Sequence, residues 1–200
     1  MRLHLGCGEI YFPGWVNLDL SRGHDLRLGL GDWEANSISE AYSSHLLEHL
    51  TFQEGAALLR EVYRVLRVGG AARLGVPDFR LFAEAYVAGD RAFSEAYFAH
   101  YCPEVKAPWL AAQPGGNPIA YRDFGSAGAL LAIVFGWGHK AIYDADILAT
   151  ALRAAGFAAD QIEVTKFGES RRFNAAALDR NFADHTVFVE AVKSLPPSRE

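Results

Sequence analysis

Short apolar runs alternate with longer amphipathic stretches along most of the chain. The runs at residues 3–5, 15–20, 39–44, 71–76, 161–167 and 186–192 predict strands. Between the third and fourth runs, one apolar stripe at three- and four-residue spacing predicts a helix that begins at Phe52: Leu58, Leu59, Val62, Val65 and Leu66. We expect this helix to end at Gly69-Gly70. A helix between strands, repeated along the chain, is typical of a parallel α/β sheet.

The middle of the chain departs from this rhythm. Residues 79–101 show two helical patterns divided at Gly89-Asp90, and residues 102–126 are rich in proline and glycine but carry Trp109 and Tyr121. Connections of that length are usually lids or binding loops. We therefore expect a helical and loop insertion, residues 79–140, that closes over a ligand within a single domain of residues 1–200. Beyond it, Asp144 is expected to cap another helix, and Gly156 is expected to end that helix in the αL conformation.

Composition narrows the class of protein. Net charge is −5 and no long basic run occurs, which argues against nucleic-acid binding. Cys7 and Cys102 can pair in principle, but Cys7 lies in a glycine loop, so we expect a reduced, cytoplasmic protein. The apolar stretch at residues 127–137 is far shorter than the roughly 20 residues of a membrane span, so no membrane association is expected.

The first strand runs directly into Gly6-Cys7-Gly8, and the second carries Asp19 near its carboxyl end. Ligands of open α/β sheets lie outside the carboxyl ends of the strands, where an acid commonly binds a ribose diol. This arrangement predicts an adenosine site, although two glycines and an acid also occur in an ordinary tight turn. Tyr11 stands where a dinucleotide fingerprint has its third glycine, and there is no room for a full helix. A ligand without phosphates, S-adenosylmethionine (SAM), is favoured over a dinucleotide.

A glycine-rich segment follows the second strand and contains Asp25-Leu26. It is expected to form a short third strand or a loop. Asp25 can accept a hydrogen bond from an adenine amino group while Leu26 covers the ring, or it can simply form a turn beside glycine.

The sequence His45-Leu-Leu-Glu48-His49 resembles an inverted zinc-protease motif. The following Thr51-Phe-Gln-Glu54 is a capping box, which places the helix start at Thr51. The two histidines then precede the helix and need not share a face. We therefore expect no metal site. A metal-dependent hydrolase that uses His45, Glu48 and His49 is the alternative hypothesis.

Five stretches together resemble class I SAM-dependent methyltransferases, particularly a small bacterial group of predicted methyltransferases. They are LHLGCGEIYFPGWVNLDL, SSHLLEHL, LREVYRVLRVGGAARLGVPDF, GHKAIYDADILATALRAAGF and TVFVEAVK. The resemblance implies a Rossmann-like seven-stranded sheet of order 3-2-1-4-5-7-6, with strand 7 antiparallel and the insertion after strand 5. It also implies the following ligand contacts: Gly6, Cys7 and Gly8 at the methionine part of SAM, Asp19 at the ribose, Asp25 and Leu26 at the adenine, and Ser44 and His45 beside the ligand.

Two departures from the family pattern accompany the resemblance. The superfamily usually has an acid two residues before the first glycine, where this chain has His4. The connection between the first two strands is also shorter than the dozen or so residues of a normal parallel crossover. The first departure leaves the methionine amine of SAM without its usual acidic partner. The second leaves little room for the first helix of the family pattern.

The expected activity is transfer of the SAM methyl group to an oxygen of a small-molecule or sugar acceptor, with S-adenosylhomocysteine (SAH) as the product. An oxygen nucleophile needs a base, and histidine suits neutral pH. His139 is the first candidate and His45 the second; each also has a structural interpretation, His139 as a cap of the turn before the next helix. A SAM-binding protein without catalytic activity is the remaining hypothesis.

Overall fold

One mixed sheet organises the chain. The computed structural model describes residues 1–101, 121–180 and 182–195. Within them the strands are β1 (Arg2–Leu5), β2 (Val16–Leu18), β3 (Ile38–Ser44), β4 (Leu66–Pro77), β5 (Ile162–Thr165) and β6 (Thr186–Val192). Their order is β2-β1-β3-β4-β6-β5. The first four are parallel, and β6 lies antiparallel between β4 and β5.

Helices lie between the strands, and several of their ends follow from local residues. They are α1 (Phe52–Val65), α2 (Phe79–Val87), α3 (Arg91–Tyr101), α4 (Ser126–Phe135), α5 (Ala145–Ala155) and α6 (Ala175–Leu178). The expected capping box at Thr51 and Glu54 is present at the start of α1. Asp144 caps α5, which ends at Gly156 with φ of +119°. These signals are local, which is why the sequence predicts them.

The end of α1 was predicted wrongly. The helix ends at Val65 and β4 begins at Leu66, before the Gly69-Gly70 pair. Leu66 pairs with Ile38 of β3, and the Gly69 N–H donates to Lys193 O. Pairing on both sides of the strand therefore extends β4 through the glycines, and Gly69 takes a φ of +75° within it.

The described sheet has six strands where the resemblance implies seven, and the segment after β2, expected as a short strand or a loop, forms no strand. Residues Leu20–Arg22 and Leu26–Leu28 form single turns of 3-10 helix instead. Asp19 caps the first turn and Asp25 caps the second, each accepting from a backbone N–H two residues on. These local bonds compete with a strand ladder at this position.

The two faces of the sheet are buried against different layers. Neighbouring residues of β3 point to opposite faces: Ala41 belongs to the aliphatic core and Tyr42 to an aromatic cluster. Helices α1 and α5 cover the aliphatic face. The short connection between β1 and β2 carries no helix, and its Phe12 closes the aromatic face together with Phe173.

A third apolar cluster is formed by α2, α3 and α4, within the range expected for the insertion. Tyr121, expected on the lid loop, is fully buried in this cluster and begins a 3-10 turn, Tyr121–Phe124. The rest of the expected lid, residues 102–120 with Trp109 and Cys102, lies outside the described residues. None of the helices in the described ranges combines the length and apolarity needed to cross a membrane.

Candidate functional site

The glycine loop is fastened to the end of β2 by Asp19. Gly6 and Gly8 both have positive φ, +67° and +50°. The Gly8 N–H donates to Asp19 Oδ2 at 2.9 Å, while Asp19 Oδ1 accepts from the N–H and the hydroxyl of Ser21. Burial raises the pKa of Asp19, but the bonds from Ser21 and Gly8 and the charge of Arg22 outweigh it and lower that pKa overall. The carboxylate is ionised at neutral pH, with acceptor capacity left on Oδ2.

These residues border a cleft of about 390 Å³ at the carboxyl ends of β1, β2 and β3. Leu26 is buried and contributes an apolar wall. Asp25 also borders the cleft, but both of its oxygens accept from the Arg27 guanidinium, at 2.8 and 2.6 Å. The Asp25 carboxylate is therefore already paired, and its predicted contact to an adenine amino group has to compete with Arg27.

His4 lies beneath this loop rather than in the cleft. Its ring stacks on Phe12 with centroids 4.3 Å apart, and Nδ1 is 3.0 Å from Asn17 Oδ1. Since Asn17 Oδ1 is an acceptor, His4 Nδ1 carries the hydrogen. Burial lowers the pKa of His4 to about 4. The residue in place of the expected acid is thus a neutral core histidine that ties β1 to β2.

His45 follows β3 in a strained backbone conformation, with φ of +55°. Thr186 donates its hydroxyl hydrogen to Phe182 O at 2.6 Å, so Thr186 Oγ accepts from His45 Nε2 at 2.8 Å. The other ring nitrogen, Nδ1, lies 3.1 Å from Glu48 Oε1. His45 is therefore positioned by β6 on one side and faces a carboxylate on the other.

Glu48, His49 and His139 converge although His139 is distant in sequence. Residues Leu47–His49 form a 3-10 turn before α1, and the N–H groups of Lys140 and Ala141 donate to Glu48 O. One candidate ligand atom from each of Glu48, His49 and His139 lies within 4.8 Å of the other two. His49 thus shares a site with His139, brought together by a turn and a loop rather than by one helix face.

The His139 ring has a fixed orientation. Its Nδ1 donates to Ile133 O, 2.6 Å away in the last turn of α4, and its ring lies 5.0 Å from that of His49. Burial lowers the pKa of His139, against the opposing effects of that bond and of Glu48. The imidazole is neutral at pH 7 with Nε2 unprotonated. It caps the preceding helix, α4, and not the helix that follows.

A second cavity of about 230 Å³ adjoins the first, and His45 and His49 line both. Its other lining residues are aromatic, aliphatic or imidazole groups: Pro77, Tyr97, Ile133, Trp137, His139, Phe182 and His185. Four non-glycine residues in the described ranges have positive φ, and His45, Trp137 and Phe182 are three of them. Such strain concentrates at functional sites, where the surrounding structure must hold it.

Comparison of the whole structure with known proteins identifies the fold. The chain is similar to a SAM-dependent methyltransferase from Archaeoglobus fulgidus, with a TM-score of 0.54 and 14% identity over 96% of this chain and 85% of that one. A SAM-dependent methyltransferase from Mesorhizobium loti gives a TM-score of 0.50 and 19% identity over 96% and 90%. The chain has the fold of SAM-dependent methyltransferases. No protein-family model matches it, and neither does any curated protein.

In this methyltransferase fold, most of the expected ligand-binding residues lie together. Gly6, Gly8, Asp19, Asp25, Leu26 and His45 all line the first cleft. Cys7 and Ser44 are not among the described residues that line it. The Cys7 side chain is buried, and its thiol points to Gly8 O at 3.6 Å. His139 lines the second cavity.

Several lining residues were not anticipated from the sequence. Lys140 brings the only ammonium group among the described residues lining the first cleft, and Trp137 and His185 line the second. Trp137 donates its indole N–H to the Tyr97 hydroxyl, 3.1 Å away in α3. Lys140 and Trp137 flank His139 in sequence, so the choice of His139 as a candidate could have drawn attention to them. His185 gives no sequence signal beyond its position before the last strand.

Proposed function

We propose that this protein is a methyltransferase that binds SAM in the first cleft and a small acceptor in the second cavity. The observation that carries the proposal is the contact between the two cavities, which meet at His45 and His49. A methyl donor and an acceptor need adjoining sites with the reacting atoms in line and water excluded.

The residues of the first cleft suit SAM. Gly6 and Gly8 leave the loop backbone without side chains, and Asp19 Oδ2 retains acceptor capacity for a ribose hydroxyl. Leu26 offers an apolar surface for the adenine, and the Lys140 ammonium offers a partner for the methionine carboxylate. Bound SAM supplies an activated methyl group on its sulfonium sulfur.

The second cavity favours a small acceptor with an aromatic or apolar body. About 230 Å³ lined by Tyr97, Trp137 and Phe182 suits a molecule of that kind. The imidazoles around it suit an oxygen nucleophile, because a hydroxyl must lose its proton as it is methylated. His139 is the first candidate base because its Nδ1 is held by Ile133 and its Nε2 is unprotonated. His45 is the second, but its Nε2 is engaged by Thr186.

Calorimetry with SAH tests the cofactor, and conversion of SAM to SAH with a panel of small hydroxylated acceptors tests the activity. We expect SAH to bind and to raise the melting temperature, since a ligand that binds only the native state stabilises it. Binding without turnover on any acceptor would favour a catalytically silent SAM-binding protein. Absence of SAH binding would refute both hypotheses.

A further inference from the structure

We propose that Glu48, His49 and His139 form a binding site for one divalent transition-metal ion at the junction of the two cavities. Two imidazoles and one carboxylate are the ligand set of several catalytic zinc sites and of the facial triad that binds Fe²⁺. The role of the ion in catalysis rests on the proposed function, whereas the binding site itself is inferred from geometry.

The carboxylate of Glu48 is buried and has no hydrogen-bond partner in the described residues. The residue is 1% exposed, and neither of its oxygens accepts a hydrogen bond from the described part of the chain. His45 Nδ1 lies 3.1 Å from Oε1 without forming an aligned hydrogen bond. Burying a carboxylate without a compensating partner costs on the order of several kcal/mol. A metal ion shared with the neighbouring imidazoles of His49 and His139 supplies the missing positive charge.

The orientation of His139 suits a metal ligand. Metal-bound histidines typically donate their other ring N–H to a carbonyl or a carboxylate, which fixes the tautomer. His139 has this arrangement already, with Nδ1 bonded to Ile133 O and Nε2 left as the ligand atom. One ring nitrogen of each histidine and one carboxylate oxygen of Glu48 lie within 4.8 Å of one another. Bonds of about 2.0–2.2 Å place the ligands of one ion at most about 4.4 Å apart, so small side-chain rotations complete the site.

The two histidines of the cluster border the cavities. His49 and His139 line the second cavity and His49 also lines the first, so a coordination position not used by the protein faces the space between them. An acceptor hydroxyl bound there would ionise at a lower pH and release its proton to solvent. Its oxygen then forms the bond to the methyl carbon, while the sulfur keeps the electron pair of the broken S–CH₃ bond. With the ion bound, His139 is a ligand and the ion replaces the general base.

The experiment is a Co²⁺ titration of chelator-treated protein, followed by visible absorption and by calorimetry, with Zn²⁺ and Mg²⁺ as competitors. We expect one Co²⁺ per chain, displaced by Zn²⁺ and not by Mg²⁺, because Mg²⁺ prefers oxygen ligands. Glu48→Gln and His139→Asn should each weaken binding beyond the roughly 10–100-fold loss typical of outer-shell changes. The controls Glu163→Gln and His100→Asn alter exposed residues of the same types and should bind normally.

Absence of Co²⁺ binding by the wild-type protein would overturn the proposal, as would equal binding by Glu48→Gln or displacement by Mg²⁺. If Glu48→Gln does not fold, His49→Asn takes its place. SAH calorimetry on the same samples separates this proposal from the proposed function. SAH binding without metal binding refutes only the ion, and metal binding without SAH binding refutes only the methyltransferase.

Discussion

The Gly8 N–H donates to Asp19 Oδ2 at 2.9 Å, so the glycine loop and the candidate ribose acid form one unit. Asp19→Ala removes both this bond and the ribose contact. We expect SAH affinity to fall by about 1–3 kcal/mol, the cost of an unpaired buried polar group. Calorimetry measures it, and circular dichroism should remain native. Unchanged affinity would place the ribose elsewhere.

The two loop glycines should respond differently to substitution. A Cβ on Gly6 would lie 2.9 Å from the Leu46 side chain, whereas a Cβ on Gly8 would meet open space. Both have positive φ, which costs a non-glycine residue about 1–2 kcal/mol. Gly6→Ala should therefore lower the melting temperature more than Gly8→Ala does. Gly8→Val should abolish SAH binding with the fold retained, because Gly8 lines the cleft and a side chain there meets no other protein atom. Full SAH binding by Gly8→Val would contradict this.

His4 should make stability depend on pH between 6.5 and about 4. Its pKa is about 4 in the folded protein, because burial disfavours the charged ring, against a usual 6.5. In that window the unfolded state binds more protons, so stability falls as pH falls, by about 3 kcal/mol at 1.36 kcal/mol per pKa unit. His4→Asn keeps a donor for Asn17 but cannot titrate. In urea unfolding at a series of pH values, the free energy of unfolding of this variant should depend less steeply on pH. Part of the pH dependence should remain, because His185 has a similar pKa.

Substitution can separate the two roles of His139, the hydrogen bond to Ile133 O and the proposed activation of the acceptor. In His139→Asn the side-chain amide still reaches Ile133 O but lacks the group at the position of Nε2. We expect turnover to fall by roughly 10²–10⁴-fold, as is typical of a lost general base, and SAH affinity to stay unchanged. In chelator-treated protein, where no ion replaces the base, the acidic limb of the wild-type pH–rate profile should be lost in the variant. Full turnover by His139→Asn would mean that the acceptor needs no activation at this residue.

Arg73 should be a major determinant of stability. It is fully buried on β4 and forms ion pairs with Asp179 and, at 2.6 Å, with Glu190. Arg73→Met leaves both carboxylates buried without a cation, which costs about 3–5 kcal/mol of unfolding free energy. Urea denaturation measures it. The exposed Arg60→Met serves as the control and should stay within about 0.5 kcal/mol of the wild type.

The sequence alone determined the elements whose signals are local. The capping box at Thr51 and Glu54, the αL glycine at Gly156 and the Gly-x-Gly loop each depend on a few neighbouring residues, so each could be predicted without knowledge of the fold. The position of the cleft followed as well, because the carboxyl ends of parallel strands meet at one edge of the sheet.

The tertiary structure decided the rest, because those features depend on pairings that are distant in sequence. The N–H of Lys140 donates to Glu48 O at 2.7 Å, which brings His139 to a turn about ninety residues earlier in the chain. Strand pairing between Ile38 and Leu66 ended α1 before its glycines. Burial made His4, at the position where the family usually has an acid, a residue of the core. Each outcome was set by competition between a weak local preference and many long-range contacts, and the long-range contacts prevailed.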